Sequence, residues 1–334
     1  MKEAILYNKK EKRIVNCFAC NQHCTISPNQ IGICGVRKNI DGTLFSLNYG
    51  KIIAENVDPI EKKPLYHFLP GSLAYSIATI GCNFKCLHCQ NADISQLKST
   101  GESPGRETSA QDIINRAIKN NCQSIAYTYT EPTIFIEFAI ETMRLAKKQG
   151  LKNVWVSNGY FTEETLKLIS PLLDAINVDL KFFHNENYQK ICGAKLEAVL
   201  NNLKLLFELK KHLEITTLII PGINDSSLEI KNIATFIKDE LSQNIPWHIS
   251  AFHPAYKIPD LPKTTKESIV RAYEIGKKVG LNYVYAGNII GETLDNTYCP
   301  KCGYLLIDRI GYIIKSHLNK PKCPQCQCDL GVKL

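Results

Sequence analysis

Three clusters of cysteine set the chemistry this chain could do. Of its fourteen cysteines, Cys17, Cys20, Cys24 and Cys34 form a first group and Cys82, Cys86 and Cys89 a second. Cys299, Cys302, Cys323 and Cys326 form a third, with Cys328 trailing; Cys122 and Cys192 stand alone. Clustering at CxxC-like spacing points to metal binding. The third group has two CPxC turns separated by twenty residues, the pattern of a zinc ribbon in which each turn supplies two soft ligands. The intervening YLLIDRIGYII reads as a hairpin too small to hold itself without the metal. Cys328 competes for the fourth position, but Cys326 completes the turn. The first group, CxxCx3Cx9C, has enough ligands for a closed zinc site, with His23 able to replace one of them, and equally for an iron–sulfur cluster. The second group, GCNFKCLHCQN (81–91), has three cysteines and no fourth nearby. Three thiolates would leave one iron of a [4Fe–4S] cluster open, and an open coordination position marks a reactive metal centre. A zinc site completed by His88 is the competing reading.

The rest of the composition bounds the class. With 334 residues, 44% of them apolar, the chain suits one large domain with appendages or two domains, and not general disorder. No run approaches the roughly 20 apolar residues of a membrane span. The opening MKEAILYNKKEKRIVNC lacks the core and cleavage site of a signal peptide, so a cytoplasmic protein is expected, in which disulfides are unlikely products of so many cysteines. The formal charge of +8 invites a nucleic-acid partner. Metal-bound cysteines are thiolates, however, and three loaded sites bring the balance to roughly +3. That leaves nucleic acid open as a partner and says little for it.

The elements that must position these cysteines alternate between strand and helix. SLAYSIATI (72–80), QSIAYTY (123–129), NVWVS (153–157), AINVDLKF (175–182), LEITTLII (213–220) and WHISAF (247–252) are near-continuous apolar runs, and NYVYA (282–286) is a possible further strand. Amphipathic helices separate them, one opening on a Ser109/Asp112 capping box and others at Pro132 and Thr162. Such alternation predicts an α/β fold with a parallel sheet. Six units suggest a partial barrel, with a complete barrel or an open doubly wound sheet as alternatives. The central cysteines follow the first strand directly, at the rim where barrel enzymes build their sites. Residues 95–108 read as a loop. The expected organisation is a metal-binding extension over 1–70, the barrel over 71–296 and a zinc-ribbon-like module over 297–334.

At CxxxCxxC the sequence resembles the radical SAM superfamily, and over nearly its whole length it resembles the radical SAM enzyme of the AmmeMemoRadiSam system. GICGVRKN (32–39), DPIEKKPLYHFLPGS (58–72), SIATIGCNFKCLHCQN (76–91), AYTYTEPT (126–133), VSNGY (156–160), NVDLKFF (177–183), LIIPGIND (218–225), FHP (252–254) and YAGN (285–288) carry that likeness. Glycyl-radical-enzyme activating proteins are more distant relatives. The resemblance implies a partial (β/α)6 TIM-like barrel and a [4Fe–4S] cluster on Cys82, Cys86 and Cys89 whose open iron binds S-adenosylmethionine (SAM). It implies that His88 contacts the adenine. The GGE-type motif that holds the methionyl amine is replaced by TYTEP, which brings in Tyr129 and Glu131 without the glycines. Glu131 is also suited to cap the helix at Pro132. Ser157 and Asn158 are candidates for the ribose or carboxylate. Asp179 and Lys181, on one face of their strand, are candidates for cofactor or substrate contact, or for a structural ion pair. His253 is a weaker candidate. Lys62 and Lys63 belong to a matching stretch with no evident role, placed as a cover over the barrel mouth.

The resemblance further implies an external one-electron donor such as ferredoxin or flavodoxin, with Memo-type and AMMECR-type proteins as partners. The activity expected is reductive cleavage of SAM to a 5′-deoxyadenosyl radical that abstracts hydrogen from an unidentified substrate. The alternatives are activation of a glycyl-radical enzyme and, from a different class, a zinc-ribbon nucleic-acid-binding protein with the barrel as scaffold.

Overall fold

The structure is a computed structural model that describes residues 1–96, 103–287 and 294–334. Seven strands lie side by side in parallel, in sequence order: β1 (Leu73–Thr79), β2 (Ser124–Tyr127), β3 (Lys152–Ser157), β4 (Ala175–Asp179), β5 (His212–Ile219), β6 (Trp247–Ala251) and β7 (Val284–Gly287). They are the apolar runs of the sequence, including the seventh. Both of their faces are covered, which is why they are largely apolar instead of alternating. A helix stands between each successive pair: Ala110–Lys119, Ile136–Lys148, Glu163–Ile169, Leu196–Glu208, Ser227–Phe236 and Lys266–Val279. The start signals read from sequence are in place. Ser109 and Asp112 exchange both capping-box bonds, Asp112 N–H to Ser109 Oγ at 3.1 Å and Ser109 N–H to Asp112 Oδ2 at 3.3 Å. Thr162 caps the third helix.

The sheet is open and mixed. Beyond β1 it continues with the antiparallel strand Lys51–Pro59, which in turn pairs with Arg106–Glu107. The expected boundary at residue 70 therefore cuts through the sheet, because the N-terminal segment donates a strand to it. Arg106–Glu107 also interrupts the expected loop 95–108, as does the short helix Ala92–Ser95. Residues 97–102 of that loop, and Asn288 of YAGN, lie outside the described residues. The rest of the N-terminal segment forms two small three-stranded sheets.

The segment after Lys51–Pro59 does not cover the mouth. Ile60, Leu65 and Phe68 pack on Ala74, Ala126, Val154 and Ala175, small residues on the inner side of β1 to β4. Glu214 of β5, fully buried, accepts the backbone N–H groups of Tyr66 and His67 at 2.9 and 2.8 Å, and His212 and His248 flank its carboxylate. The segment is a plug in the barrel interior.

The C-terminal tail closes over that plug. Leu305–Ile310 and Ile313–Ser316 form the expected hairpin. The fully buried Arg309 donates to Tyr66 O at 2.8 Å and to Thr297 Oγ1 at 2.7 Å, and lies 4.2 Å above the Tyr66 ring. Lys333 exchanges backbone bonds with His67 and Leu69, both at 2.7 Å. Among the described residues no helix is long and apolar enough to cross a membrane.

Candidate active site

The C-terminal ends of the strands surround a cavity of about 330 Å³. Cys82, Cys86, His88 and Cys89 reach it from the loop after β1, Tyr129 and Glu131 from the turn after β2, Ser157 and Asn158 from the end of β3, and Asp179 and Lys181 from the end of β4. All ten side chains expected at a cofactor site thus line one space. His253 does not: it is exposed, on the loop after β6. Cys122 is buried elsewhere, at the start of β2.

Burial keeps these thiols from free reactivity. Burial, with Cys86 and Glu131 nearby, pushes the Cys82 thiol well above its usual range. Cys86 is raised by a hydrogen bond with Cys192 and by burial. Without a bound cation these sulfurs stay protonated, so metal loading must release their protons. Cys89 lies 2.9 Å from Ser95 Oγ. Cys192, isolated in sequence, is brought here by the turn Tyr188–Cys192: Cys86, His88 and Cys192 have ligand atoms within 4.8 Å of one another. Cys192 lies behind Cys86 and outside the cavity lining, so the cavity itself offers three thiols.

His88 is buried, and burial plus the Lys181 charge lowers its pKa to about 3. It is therefore a neutral imidazole at ordinary pH. Its ring meets Phe182 edge-on at 6.0 Å, and Nδ1 has no hydrogen-bond partner. A buried nitrogen without a partner, on a side chain that lines the cavity, fits a ligand that brings its own polar edge.

Glu131 is 1% exposed and is held by donors alone. Its carboxylate accepts from Thr133 Oγ1 at 2.6 Å, Thr133 N–H at 3.2 Å, Ser157 Oγ at 2.9 Å and Asn158 N–H at 2.8 Å. It caps the helical turn at Pro132 and faces the cavity at the same time. Ser157 is thereby engaged in holding Glu131. Asn158 Nδ2 donates to Asn83 Oδ1 at 2.8 Å. Lys181 and Asp179 form a 2.8 Å ion pair in the cavity wall. Burial opposes the Lys181 charge, but the Asp179 carboxylate outweighs it and raises its pKa well above the usual range.

The plug supplies a group that sequence reasoning left without a role. Lys63, 2% exposed, pairs with Asp58 at 2.7 Å and sits 4.5 Å over the Tyr129 ring, while the Tyr129 hydroxyl also donates to Asp58. Tyr129 has φ 63°, the left-handed region that glycine adopts freely and a tyrosine only at a cost. Asp58, Lys63 and a bond from Asn91 Nδ2 to Tyr129 O at 2.8 Å hold it there. Lys62 and Lys63 both line the cavity. The match of DPIEKKP was the available signal; the pairing with Tyr129 required the fold.

At the other end of the chain, the sulfurs of Cys299, Cys302, Cys323 and Cys326 all lie within 4.8 Å of one another. Cys299–Cys326 and Cys302–Cys323 are 3.5 and 3.6 Å apart, near the roughly 3.8 Å that a tetrahedral zinc–thiolate site requires. This quartet can hold a metal ion.

Comparison with known proteins agrees with this geometry. Residues 76–232 match the model of the Radical SAM superfamily. The chain is 43% identical over 337 aligned positions, covering all of both chains, to an uncharacterized protein of Methanocaldococcus jannaschii. It is 26% identical over 211 positions (61% of this chain, 76% of the relative) to a putative glycyl-radical enzyme activating enzyme of the same organism. Its fold matches that of Streptococcus suis SuiB, solved with bound S-adenosylmethionine, with TM-score 0.51 and 12% identity over 64% of this chain and 49% of that one. The chain belongs to the radical SAM superfamily. As a radical SAM enzyme it generates a 5′-deoxyadenosyl radical from SAM and needs a reductant to do so. The reading of the barrel as scaffold for a nucleic-acid-binding zinc protein is thereby overturned.

Proposed function

We propose that Cys82, Cys86 and Cys89 hold three irons of a [4Fe–4S] cluster, and that its fourth iron is left for the amino and carboxylate groups of SAM. The observation that carries this reading is the convergence of three thiols, Glu131, His88 and the Asp179–Lys181 pair on one 330 Å³ space, within the usual size of a cofactor site. When bound, the two cofactors supply one-electron cleavage of the S–C5′ bond to a 5′-deoxyadenosyl radical that abstracts hydrogen.

The chain's own residues bind and orient. Glu131, fixed by Thr133, Ser157 and Asn158, presents its carboxylate to the methionyl ammonium, a charge-assisted bond. Lys181 offers a positive charge beside Cys86 that suits the methionyl carboxylate. Neutral His88 and the Tyr129 ring suit the adenine. Lys63 and Asp58 keep Tyr129 in place from below. The plug seals the barrel interior and excludes water from a reactive radical.

The electron donor in this reading is a small redox protein such as ferredoxin or flavodoxin. The substrate is a molecule presented with Memo-type and AMMECR-type partners, on the strength of the long stretches shared with the AmmeMemoRadiSam enzyme. The similarity to a putative glycyl-radical enzyme activating enzyme favours activation of a partner protein as a second reading. Anaerobic reconstitution with iron and sulfide, followed by dithionite and SAM, tests the first step. 5′-Deoxyadenosine and methionine are expected, and Cys86→Ala should make neither. If the wild type makes no more 5′-deoxyadenosine than Cys86→Ala, the reading fails. A persistent glycyl doublet in electron paramagnetic resonance, seen on mixing with a candidate partner, selects activation.

A further inference from the structure

The first cysteine cluster differs in geometry from the last. A zinc ion at about 2.3 Å from four sulfurs leaves no room between them for anything of water size, and the C-terminal quartet has that tightness. Cys17, Cys20, Cys24 and Cys34 instead line one small void without converging to that tightness. Among the described residues, the four-sulfur group converging within 4.8 Å is the C-terminal one.

Water is a poor occupant for this void. Apart from sulfur, much of its wall is aliphatic, and its polar lining includes the donors of Arg37 and Asn83. Two of them are unpartnered. Arg37, 2% exposed, pairs its Nη2 with Glu137 at 2.8 Å and approaches Cys17 Sγ at 4.0 Å with Nη1, but its Nε has no partner. Asn83, fully buried, uses its oxygen for Asn158 and leaves Nδ2 without a partner. Buried unpaired donors are costly, so the occupant must accept hydrogen bonds while being bound by four thiolates. The bridging sulfides of an iron–sulfur cluster do both.

We infer that Cys17, Cys20, Cys24 and Cys34 bind a second [4Fe–4S] cluster, ligated by four cysteines and hydrogen-bonded by Arg37 and Asn83. This inference is independent of the reading of the central cavity. The site directly adjoins that cavity: Asn83 follows Cys82, and Gly81 packs so close to Cys34 that a Cβ would lie 2.6 Å from Cys34 O. With no open iron, the cluster is of the electron-carrying type.

The test is a metal count on the full chain carrying Cys82→Ala, Cys86→Ala and Cys89→Ala, reconstituted anaerobically with iron and sulfide. About four irons and sulfides per chain and absorbance near about 400 nm are expected, lost when Cys20→Ser and Cys24→Ser are added. A triple variant that takes up zinc at both outer quartets and no iron overturns the inference. If that variant is insoluble, the wild type decides. About eight irons with one zinc supports a second cluster, and about four irons with two zincs, one in each outer quartet, overturns it.

Discussion

Glu131 shows how one residue type can be legible in sequence while its setting is not. Its place before Pro132 marked both a cap and a cofactor contact, and it serves the first while facing the cavity for the second. Glu131→Gln leaves one oxygen where Thr133, Ser157 and Asn158 all donate and removes the charge an ammonium would meet. Charge-assisted bonds contribute about 1.5–3 kcal/mol, so SAM affinity should fall by about 10- to 100-fold, read by calorimetry on reconstituted enzyme with its cluster absorbance unchanged. Asp58 and Lys63 illustrate the opposite case: a strand-end acid and a lysine five residues on look like surface charge. Only the plug's return into the barrel buries them together beneath Tyr129. Burial opposes the Asp58 charge, but Lys63 and Tyr129 hold its pKa down to about 2. A carboxyl lowered in this way stabilises the fold above its unfolded pKa of about 3.9, and the contribution is lost as pH falls toward 2. Asp58→Asn should flatten that part of the pH–stability curve of the metal-free chain. Breaking a buried pair costs about 3–5 kcal/mol, and the double variant Asp58→Asn/Lys63→Met should regain much of it in urea denaturation.

At the scale of elements, the seven parallel strands were legible because burial on both faces leaves a near-continuous apolar signature, and the helix starts at Ser109 and Thr162 carried caps. The plug was not, because its apolar residues Ile60, Leu65 and Phe68 are complementary to small residues in four separate strands, and no local pattern encodes that. The strand Lys51–Pro59 was missed for a related reason. Its central residues are partly or largely exposed, so it lacks the apolar run. Likewise, the contact between the loops bearing the first two cysteine clusters is invisible in one dimension. Gly81, two residues past β1, has φ +99°, and an added Cβ would also meet Val36 Cγ1 at 2.9 Å. Gly81→Ala therefore forces apart the loops bearing Cys34 and Cys82. The strain of about 1–3 kcal/mol should lower the urea midpoint, and iron content should fall further than in a control such as Gly222→Ala, whose φ is similarly positive but which has nothing within 4 Å.

For the whole molecule, the tail, plug and cavity form a continuous stack. The C-terminal cysteine quartet, able to hold a metal ion, belongs to a tail whose own core is small, and small metal-bound modules commonly unfold without their ion. That tail clamps the plug through Arg309 and Lys333, and the plug carries Lys63 to the floor of the cavity. Losing the metal at one end should therefore be felt at the other. Cys302→Ser with Cys326→Ser removes one sulfur from each turn without touching the barrel. Hydrogen exchange should then rise across 297–334 and also across 60–69, while β3 to β5 stay protected, since their contacts with the helices are untouched. SAM affinity should weaken as Tyr129 loses Lys63 from beneath its ring. If exchange rises in the tail alone and SAM binds as before, the tail is an independent appendage and the stack does not transmit. The nonlocal character of this coupling is what separates it from the sequence, where the quartet, the plug and the cavity residues lie in three distant stretches.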